Sequence, residues 1–207
     1  MLSPRTNNLV YTFFSWYISR IIRSDFHQVV FKEITLEPGR AVLLLANHSS
    51  WWDAFVIFHL NKKFLHKKFH VMVTEENHRK VWFFKYLGAF SVKKRSRDLL
   101  TSLEFAARLL DDPENLVLIF PQGKLHSGHA HHIRFEKGLL QLVSRSAANF
   151  QYLFASLFVD YFQHRKPSVT CYLEQWMPAT ETSLALINDA YNKHYENARL
   201  QQAKITV

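Results

Sequence analysis

Two runs constrain the folding of this chain more than any other feature: AVLLLA at 41–46 and NLVLIF at 115–120. Each is short and almost wholly apolar. The first gives way at once to Asn47-His48-Ser49, the second to Pro121-Gln122-Gly123. A strand wetted on one face alternates apolar and polar residues, whereas a continuous apolar run of this length predicts a strand covered on both faces. Further strand patterns occur at 28–36, 69–74, 89–92, 152–159 and 168–175. Helical spacing occurs at 7–23, 53–60, 76–86, 97–110, 136–147 and 182–203, and residues 121–134 read as a polar loop. A turn at Glu37-Pro38-Gly39-Arg40 is expected to join the strands 28–36 and 41–46. Strands alternating with helices predict an α/β fold, a mixed sheet flanked by helices. No internal repeat and no domain boundary is visible. Residues 1–207 therefore read as one domain, with an N-terminal helix in 1–25 and an α/β core over 26–207.

Hydrophobic residues make up 48% of the 207, enough for a full core, and only 5 glycines and 6 prolines argue against long disordered stretches. Cys171 is the single cysteine. It excludes an intrachain disulfide framework and a Cys-rich zinc module, and it suits a reducing compartment. Residues 1–24 do not read as a signal peptide, because Ser15, Ser19 and Arg20 interrupt the apolar part and no small-residue cleavage site follows. The stretch is also too short and polar to span a bilayer, which takes about 20 apolar residues.

Charge is uneven. Residues 1–97 carry 16 Lys and Arg against 6 Asp and Glu, and the remainder carries 10 against 11. The basic half can attract anionic lipid, nucleic acid or an acidic protein. Tyr11, Phe13, Phe14, Trp16 and Tyr17, together with Arg5, Arg20 and Arg23, suit a helix lying at a membrane–water interface; a helix simply packed on the core is the alternative. No helix-turn-helix glycine pattern, zinc spacing or RNA-stacking motif supports nucleic-acid binding.

The stretch NHSSWWD, 47–53, puts His48 five residues before Asp53 at the start of a helix. A carboxylate on one imidazole nitrogen fixes the tautomer and leaves the other nitrogen free to take a proton. The pair is then a base and its orienter; as a bare pattern it reads more readily as a helix cap beside an unrelated histidine. Ser49 and Ser50 lack the glycine-flanked elbow of a covalent serine enzyme.

NHSSWWD, LGAFSV (87–92), IFPQGK (119–124) and YLFASLFV (152–159) stand in the order and at the spacing of the four blocks of the glycerolipid acyltransferases, typified by 1-acylglycerol-3-phosphate acyltransferase. The sequence resembles that family over roughly residues 28–175. The resemblance implies an α/β sheet preceded by a helical motif that rests peripherally on the cytoplasmic face of the membrane. It implies that His48 is the general base and Asp53 its orienter, and that an acceptor hydroxyl attacks the thioester of an acyl-CoA or acyl carrier protein. No metal or organic cofactor is required. Asn47, Gly88, Phe90, Lys93, Pro121, Gln122, Gly123 and Lys124 are its substrate-binding candidates, with Lys94 and Arg95 as further cations beside Lys93.

The third block usually reads Phe-Pro-Glu-Gly-Thr-Arg. Here Gln122 stands at the glutamate and Leu125 at the arginine, so a carboxylate and an arginine fork for phosphate are both missing. Lys124, Arg134 and Lys137 can act as point charges. A lysine common after the preceding strand is replaced by Thr74-Glu75. These departures leave acyl transfer intact and point to an acceptor other than glycerol phosphate, such as a lysophospholipid, a glycolipid or a lipophilic pigment. An inactive lipid-binding relative and a basic nucleic-acid-binding protein are the competing readings, and an N-acyltransferase or a hydrolase on the same scaffold is another. His126, His129, His131 and His132 read as an exposed lid, as headgroup contacts or as metal ligands. KKFLHKK (62–68) reads as a basic loop, either solvated or docking acidic partners. Trp51 and Trp52 are candidates for the wall of an acyl channel or for the core.

Overall fold

The computed structural model describes the chain except for residues 33, 94–96, 147–149 and 180–181. In chain order its elements are α1 (Asn8–Asp25), β1 (Gln28–Phe31), β2 (Ala41–Ala46), α2 (Asp53–Leu60), β3 (Lys68–Thr74), α3 (Glu75–Lys80), β4 (Ala89–Val92), α4 (Arg97–Leu109), β5 (Asn115–Ile119), α5 (Gly138–Val143), β6 (Phe150–Asp160), β7 (Ser168–Trp176) and α6 (Leu184–Gln202). The strands form one sheet in the order β1-β7-β6-β2-β5-β3-β4. β6, β2, β5, β3 and β4 run parallel, and β7 turns back antiparallel to β6. The sheet is therefore mixed and covered by helices, as the sequence predicts.

The two apolar runs lie side by side at its centre, with Val42 opposite Leu116 and Leu45 opposite Ile119. Side chains alternate across a strand. Val42, Leu44 and Ala46 enter one core with Ile18 and Ile22 of α1 and Phe55 to Phe58 of α2. Ala41, Leu43 and Leu45 enter the other with Leu103 and Ala106 of α4, Leu139 and Leu142 of α5, and Ile187, Tyr191 and Tyr195 of α6. Every residue of β2 is buried because both faces are covered. Each of Leu43, Leu44 and Leu45 then contributes about 1.5–3 kcal/mol of burial.

Four expectations are corrected. β1 ends at Phe31, and the turn after it does not set it beside β2. β1 pairs in parallel with β7, with β7 and β6 between it and β2. The connection crosses instead to β6, where the Gln151 amide binds the Glu37 backbone at both its N–H and its C=O, 2.9 Å each. The helix expected over 76–86 breaks after Lys80. Phe83 leaves helical register to stack on Phe14 at 4.0 Å between ring centroids, and a 3-10 turn over Phe84–Leu87 follows. KKFLHKK is only partly a loop. Asn61–Leu65 prolongs α2 as a π turn that stops at His66, whose φ is 54°, and Lys68 already opens β3. Lys67 donates to the Pro113 and Arg40 carbonyls, so it ties loops together at the sheet edge opposite the carboxyl ends of β2 and β5. Finally, of the helix expected over 136–147 the structure keeps α5, entered by a turn in which the Leu139 N–H bonds the Glu136 carbonyl at 3.2 Å, and residue 147 lies outside the described residues.

Candidate active site

Because β2, β5, β3 and β4 are parallel, their carboxyl ends share one edge, which is where α/β folds place ligands. β2 delivers Asn47 and His48 there, and β5 delivers Phe120 to Lys124. The first turn after β2 brings Asp53 back under His48. His48 Nδ1 lies 2.9 Å from Asp53 Oδ2. The same oxygen accepts the Ser49 and Ser50 backbone N–H groups at 2.8 Å each. The carboxylate is 2% exposed and makes no cap to α2. It faces the histidine and the loop, which removes the helix-cap alternative.

The imidazole lies on the Phe120 ring, 4.0 Å between centroids and near parallel. Gln122 is buried, and its Oε1 accepts the His48 backbone N–H at 2.6 Å. The His48 carbonyl accepts the His126 N–H at 2.9 Å. The histidine is thus fixed by its ring stacking, its carboxylate and both of its backbone polar groups. Nε2 carries no protein hydrogen bond among the described residues. Ser50 Oγ accepts the Trp52 N–H rather than bonding the imidazole.

His48 opens on a cavity of about 690 Å³. Phe55 and Phe58 of α2, Phe69 and Val71 of β3, and Leu103 and Leu139 from the opposite layer are among its walls. Thr74, Asn77, Lys124 and Glu136 are its other polar lining residues. Pro121, Gly123 and Leu125 line it as well. The third-block turn needs its glycine, since Gly123 has φ 67°.

The remaining sequence candidates divide. Asn47 is buried away from the cavity. Its amide donates to the Leu157 carbonyl at 3.0 Å and accepts the Leu157 N–H at 2.8 Å, replacing a strand partner where β2 ends beside β6. Gly88 is a close-approach residue with φ 87°, where a Cβ would meet the Phe69 carbonyl oxygen. Phe90 is fully buried in the α4/α5/α6 core. None of these three lines the cavity, and neither does Gln122. Lys93 follows β4 at the same sheet edge, within electrostatic reach of Glu75. Lys94 and Arg95 lie outside the described residues. Trp51 lines the cavity against Phe55, at 4.6 Å, while Trp52 packs edge-on to Phe26 in the core. Trp51 thus stands at a cavity wall and Trp52 in the core.

The loop between β5 and α5 folds over the site and is held by α6. Asn192 and Asn188 bind the Ile133 backbone, and the Tyr195 hydroxyl donates to the Ala130 carbonyl at 3.0 Å. Its histidines 126, 129, 131 and 132 are exposed, as are Arg134 and Lys137. Among the described residues no group of three His, Cys, Asp or Glu is placed to hold a metal ion. Cys171 is buried beneath the site, and burial pushes its thiol well above the ordinary range. Of Thr74, Asn77 and Glu136, the sequence named only Thr74, as a departure from the family pattern. Asn77 stands three residues further on, in the helix start that Thr74 caps by accepting the Asn77 N–H at 3.3 Å, and Glu136 comes from a distant segment with no local spacing to mark it.

This layout, a held histidine–carboxylate pair at the carboxyl edge of a mixed sheet beside a largely apolar cavity, places a candidate site where α/β enzymes carry theirs. The family model described as Acyltransferase matches residues 28–155, and the chain belongs to that family and is an acyltransferase. The fold is similar to the crystal structure of PlsC, the 1-acyl-sn-glycerophosphate (LPA) acyltransferase from Thermotoga maritima. That match has a TM-score of 0.65 at 16% identity and covers 93% of this chain and 79% of the other. No curated protein matches the sequence.

Proposed function

We propose that this acyltransferase moves a fatty acyl group from a thioester, acyl-CoA or acyl carrier protein, to the hydroxyl of a lipid-like acceptor. The observation that carries this reading is the His48–Asp53 pair opening directly on an apolar cavity. The acceptor O–H gives its proton to His48 Nε2 as its oxygen attacks the thioester carbonyl carbon. The tetrahedral adduct collapses, the C–S bond breaks, and the imidazolium returns the proton to the departing sulfur. The products are an ester and a thiol. Asp53 keeps Nδ1 protonated and offsets the charge that forms on the ring. No cofactor enters this scheme.

An acceptor other than glycerol phosphate fits the lining. Gln122 is occupied with the His48 backbone, Leu125 stands where an arginine would meet phosphate, and the Lys124 cation shares the cavity with the Glu136 carboxylate. Leu9, Phe13 and Trp16 of α1 are exposed, with Trp82 exposed nearby against Phe14. Arg5, Arg20 and Arg23 flank that face. This supports peripheral attachment to an anionic membrane. Among the described residues no helix is long and apolar enough to cross one.

The test is thiol release from long-chain acyl-CoA and acyl carrier protein with a panel of hydroxyl acceptors. Wild type is expected to release thiol only with a matching acceptor, and His48→Ala to lose about 10²–10⁴-fold of that rate. A folded His48→Ala protein that transfers as fast as wild type overturns the assignment. Strong preference for lysophosphatidate over uncharged acceptors overturns the acceptor reading alone.

A further inference from the structure

A second hollow, of about 460 Å³, lies apart from the cavity beside His48 and shares no lining residue with it. α3 and the turn after it serve both spaces. Asn77, Phe84 and Leu87 line the first, whereas His78, Arg79, Trp82 and Lys85 line the second together with residues 2–5. The chain over 2–5 is fixed there by its backbone. Leu2 donates its N–H to Ser91 Oγ at 2.7 Å, and its carbonyl accepts the Ser91 N–H at 2.9 Å. The Arg5 N–H donates to the Lys85 carbonyl at 2.8 Å. The hollow is therefore preformed, built between β4, α3 and the segment that leads into α1.

Arg5, Arg79 and Lys85 bring positive charge into this one space. Arg79 has a carboxylate partner, Glu75, whose Oε1 accepts its Nε–H and one Nη2–H at 2.9 and 2.7 Å. The rest of that guanidinium fork is left for another acceptor. Among the described residues no ion pair joins Arg5 or Lys85 to a carboxylate. The field reaches the buried His78 ring. Burial is the main cause of its lowered pKa, and Lys85 and Arg79 lower it further against the opposing pull of the Ala89 carbonyl and Glu75. Cations gathered round one carboxylate repel one another, and a bound anion relieves that repulsion. Two planar forks and a point charge match the oxygens of a phosphate.

Trp82 points to the source of that phosphate. It is exposed, and it meets Phe14 of α1 edge-on at 5.4 Å between ring centroids. Phe14 in turn meets the exposed Phe13 at 5.1 Å. The lining of the hollow thus continues into the exposed aromatic face of α1. Tryptophan beside cations suits the headgroup level of a bilayer, where lipid phosphates lie. We propose that this hollow holds the phosphate of an anionic phospholipid headgroup, at a lipid site separate from the cavity beside His48. The proposal rests on the membrane reading of α1 for the source of the phosphate, though not for the presence of a phosphate site.

Two variants empty the site of its charge in different ways. Arg5→Gln with Lys85→Gln removes two cations, and Ser3→Asp sets a carboxylate among them from an exposed lining position. Lys62→Gln with Lys63→Gln removes the same charge from exposed positions outside the hollow and is the control. The first readout is cosedimentation with vesicles of phosphatidylglycerol in phosphatidylcholine at about 0.15 M salt. Both site variants are expected to bind about tenfold or more weakly than wild type, and the control within about threefold of it. A control that weakens as much as the site variants overturns the site in favour of general charge. The second readout needs no membrane: the Trp82 indole N–H resonance, followed during titration with dihexanoyl phosphatidylglycerol, dihexanoyl phosphatidylcholine, inorganic phosphate and coenzyme A, the lipids kept below micelle formation. The anionic lipid is expected to move it in wild type and to leave it still in the site variants, and the zwitterionic lipid to move it far less. Inorganic phosphate or coenzyme A acting at lower concentration than the anionic lipid overturns the lipid as the source. Wild type that takes the short lipid at Trp82 but ignores vesicles overturns the membrane reading of α1 and keeps the site. Site variants that bind vesicles as wild type does overturn the site and keep the membrane reading.

Discussion

At the residue scale, one carboxylate oxygen does three jobs. Asp53 Oδ2 orients the His48 ring and accepts two backbone N–H groups of the loop between. Its loss therefore separates into a catalytic and a structural effect. Asp53→Asn keeps an amide oxygen for the loop but can present a donor to Nδ1, which favours the wrong tautomer. Its rate is expected to fall by a factor on the order of 10⁴, as carboxylate-to-amide changes do in such pairs, with a thermal midpoint close to wild type. Asp53→Ala leaves two part-buried N–H groups without their partner and is expected to lower stability as well, by up to about 1–3 kcal/mol for each group left unmet. Denaturant melts run beside initial rates separate the two. Gln122 acts on the same residue from the other side. Gln122→Ala strips the partner of the His48 N–H and is expected to cost about 1–3 kcal/mol and to reduce kcat, whereas Gln122→Glu keeps an accepting oxygen and retains most activity. If Gln122→Ala instead raises only KM for the acceptor, the side chain binds substrate and the strut assignment fails. The His48–Asp53 pair was legible in the sequence because its geometry is local, five residues across one turn. Gln122 was legible as a position but not as a strut, because its partner lies 74 residues away. Asn47 and Phe90 read as site residues for the converse reason. They sit inside the blocks, but the Asn47 amide bonds the Leu157 backbone of β6 and Phe90 packs in the α4/α5/α6 core.

At the scale of the element, α1 shows how one helix divides its faces. Ser15, Ile18 and Ile22 are buried, while Leu9 is 85%, Phe13 55% and Trp16 53% exposed. The packed reading describes its buried side, and the exposed side is the one proposed to meet a membrane. Ile22→Ala is expected to destabilise by about 2–5 kcal/mol through the cavity it leaves. The double change Phe13→Ser with Trp16→Ser alters only exposed side chains and is expected to stay within about 0.5 kcal/mol per site, yet to weaken cosedimentation with anionic vesicles several-fold. Unchanged cosedimentation would take α1 out of membrane contact. Elements held by their own periodicity, such as α1, β2 and β5, were legible to within a few residues. Those decided by distant packing were not. The stretch 76–86 has a helical pattern, but the stacking of Phe83 on Phe14 wins over local propensity. β1 and β2 read as strands joined by a turn, because chain proximity is visible and the Gln151 clamp on Glu37 is not.

At the scale of the whole molecule, the sheet divides its labour by end. Chemistry gathers at the carboxyl edge, and the opposite edge is stitched by Lys67, Asn61 and Asn115. Among the described residues, Arg40, Lys67, Lys68, Arg79 and Lys80 of the basic first half are engaged there or in local ion pairs. The same burial fixes the response to acid. Burial pulls the pKa of His70 below its ordinary 6.5, with the Asn115 hydrogen bond opposing it only in part. His78 is lowered by burial against the Ala89 carbonyl, and His59 by burial and by Lys63, Lys62 and Arg23. Above pH 6.5 these rings are neutral in both folded and unfolded chains and leave stability unchanged. As pH falls below that value, the unfolded chain takes up protons that the folded one still refuses, so stability is lost until the lowered folded values are reached. Glu174 adds a separate, lower window. Its hydrogen bond to His194 holds it below the usual 4.5, so its contribution is present above that pH and is lost beneath it. Thermal midpoints measured from pH 8 downward are therefore expected to stay level to about pH 6.5 and then to decline, with a further fall below about pH 4.5. His70→Gln, which keeps a donor for Asn115, is expected to flatten the first decline and leave the second in place. A slope identical to wild type in that variant would remove His70 from the account and leave His59 and His78 to carry it.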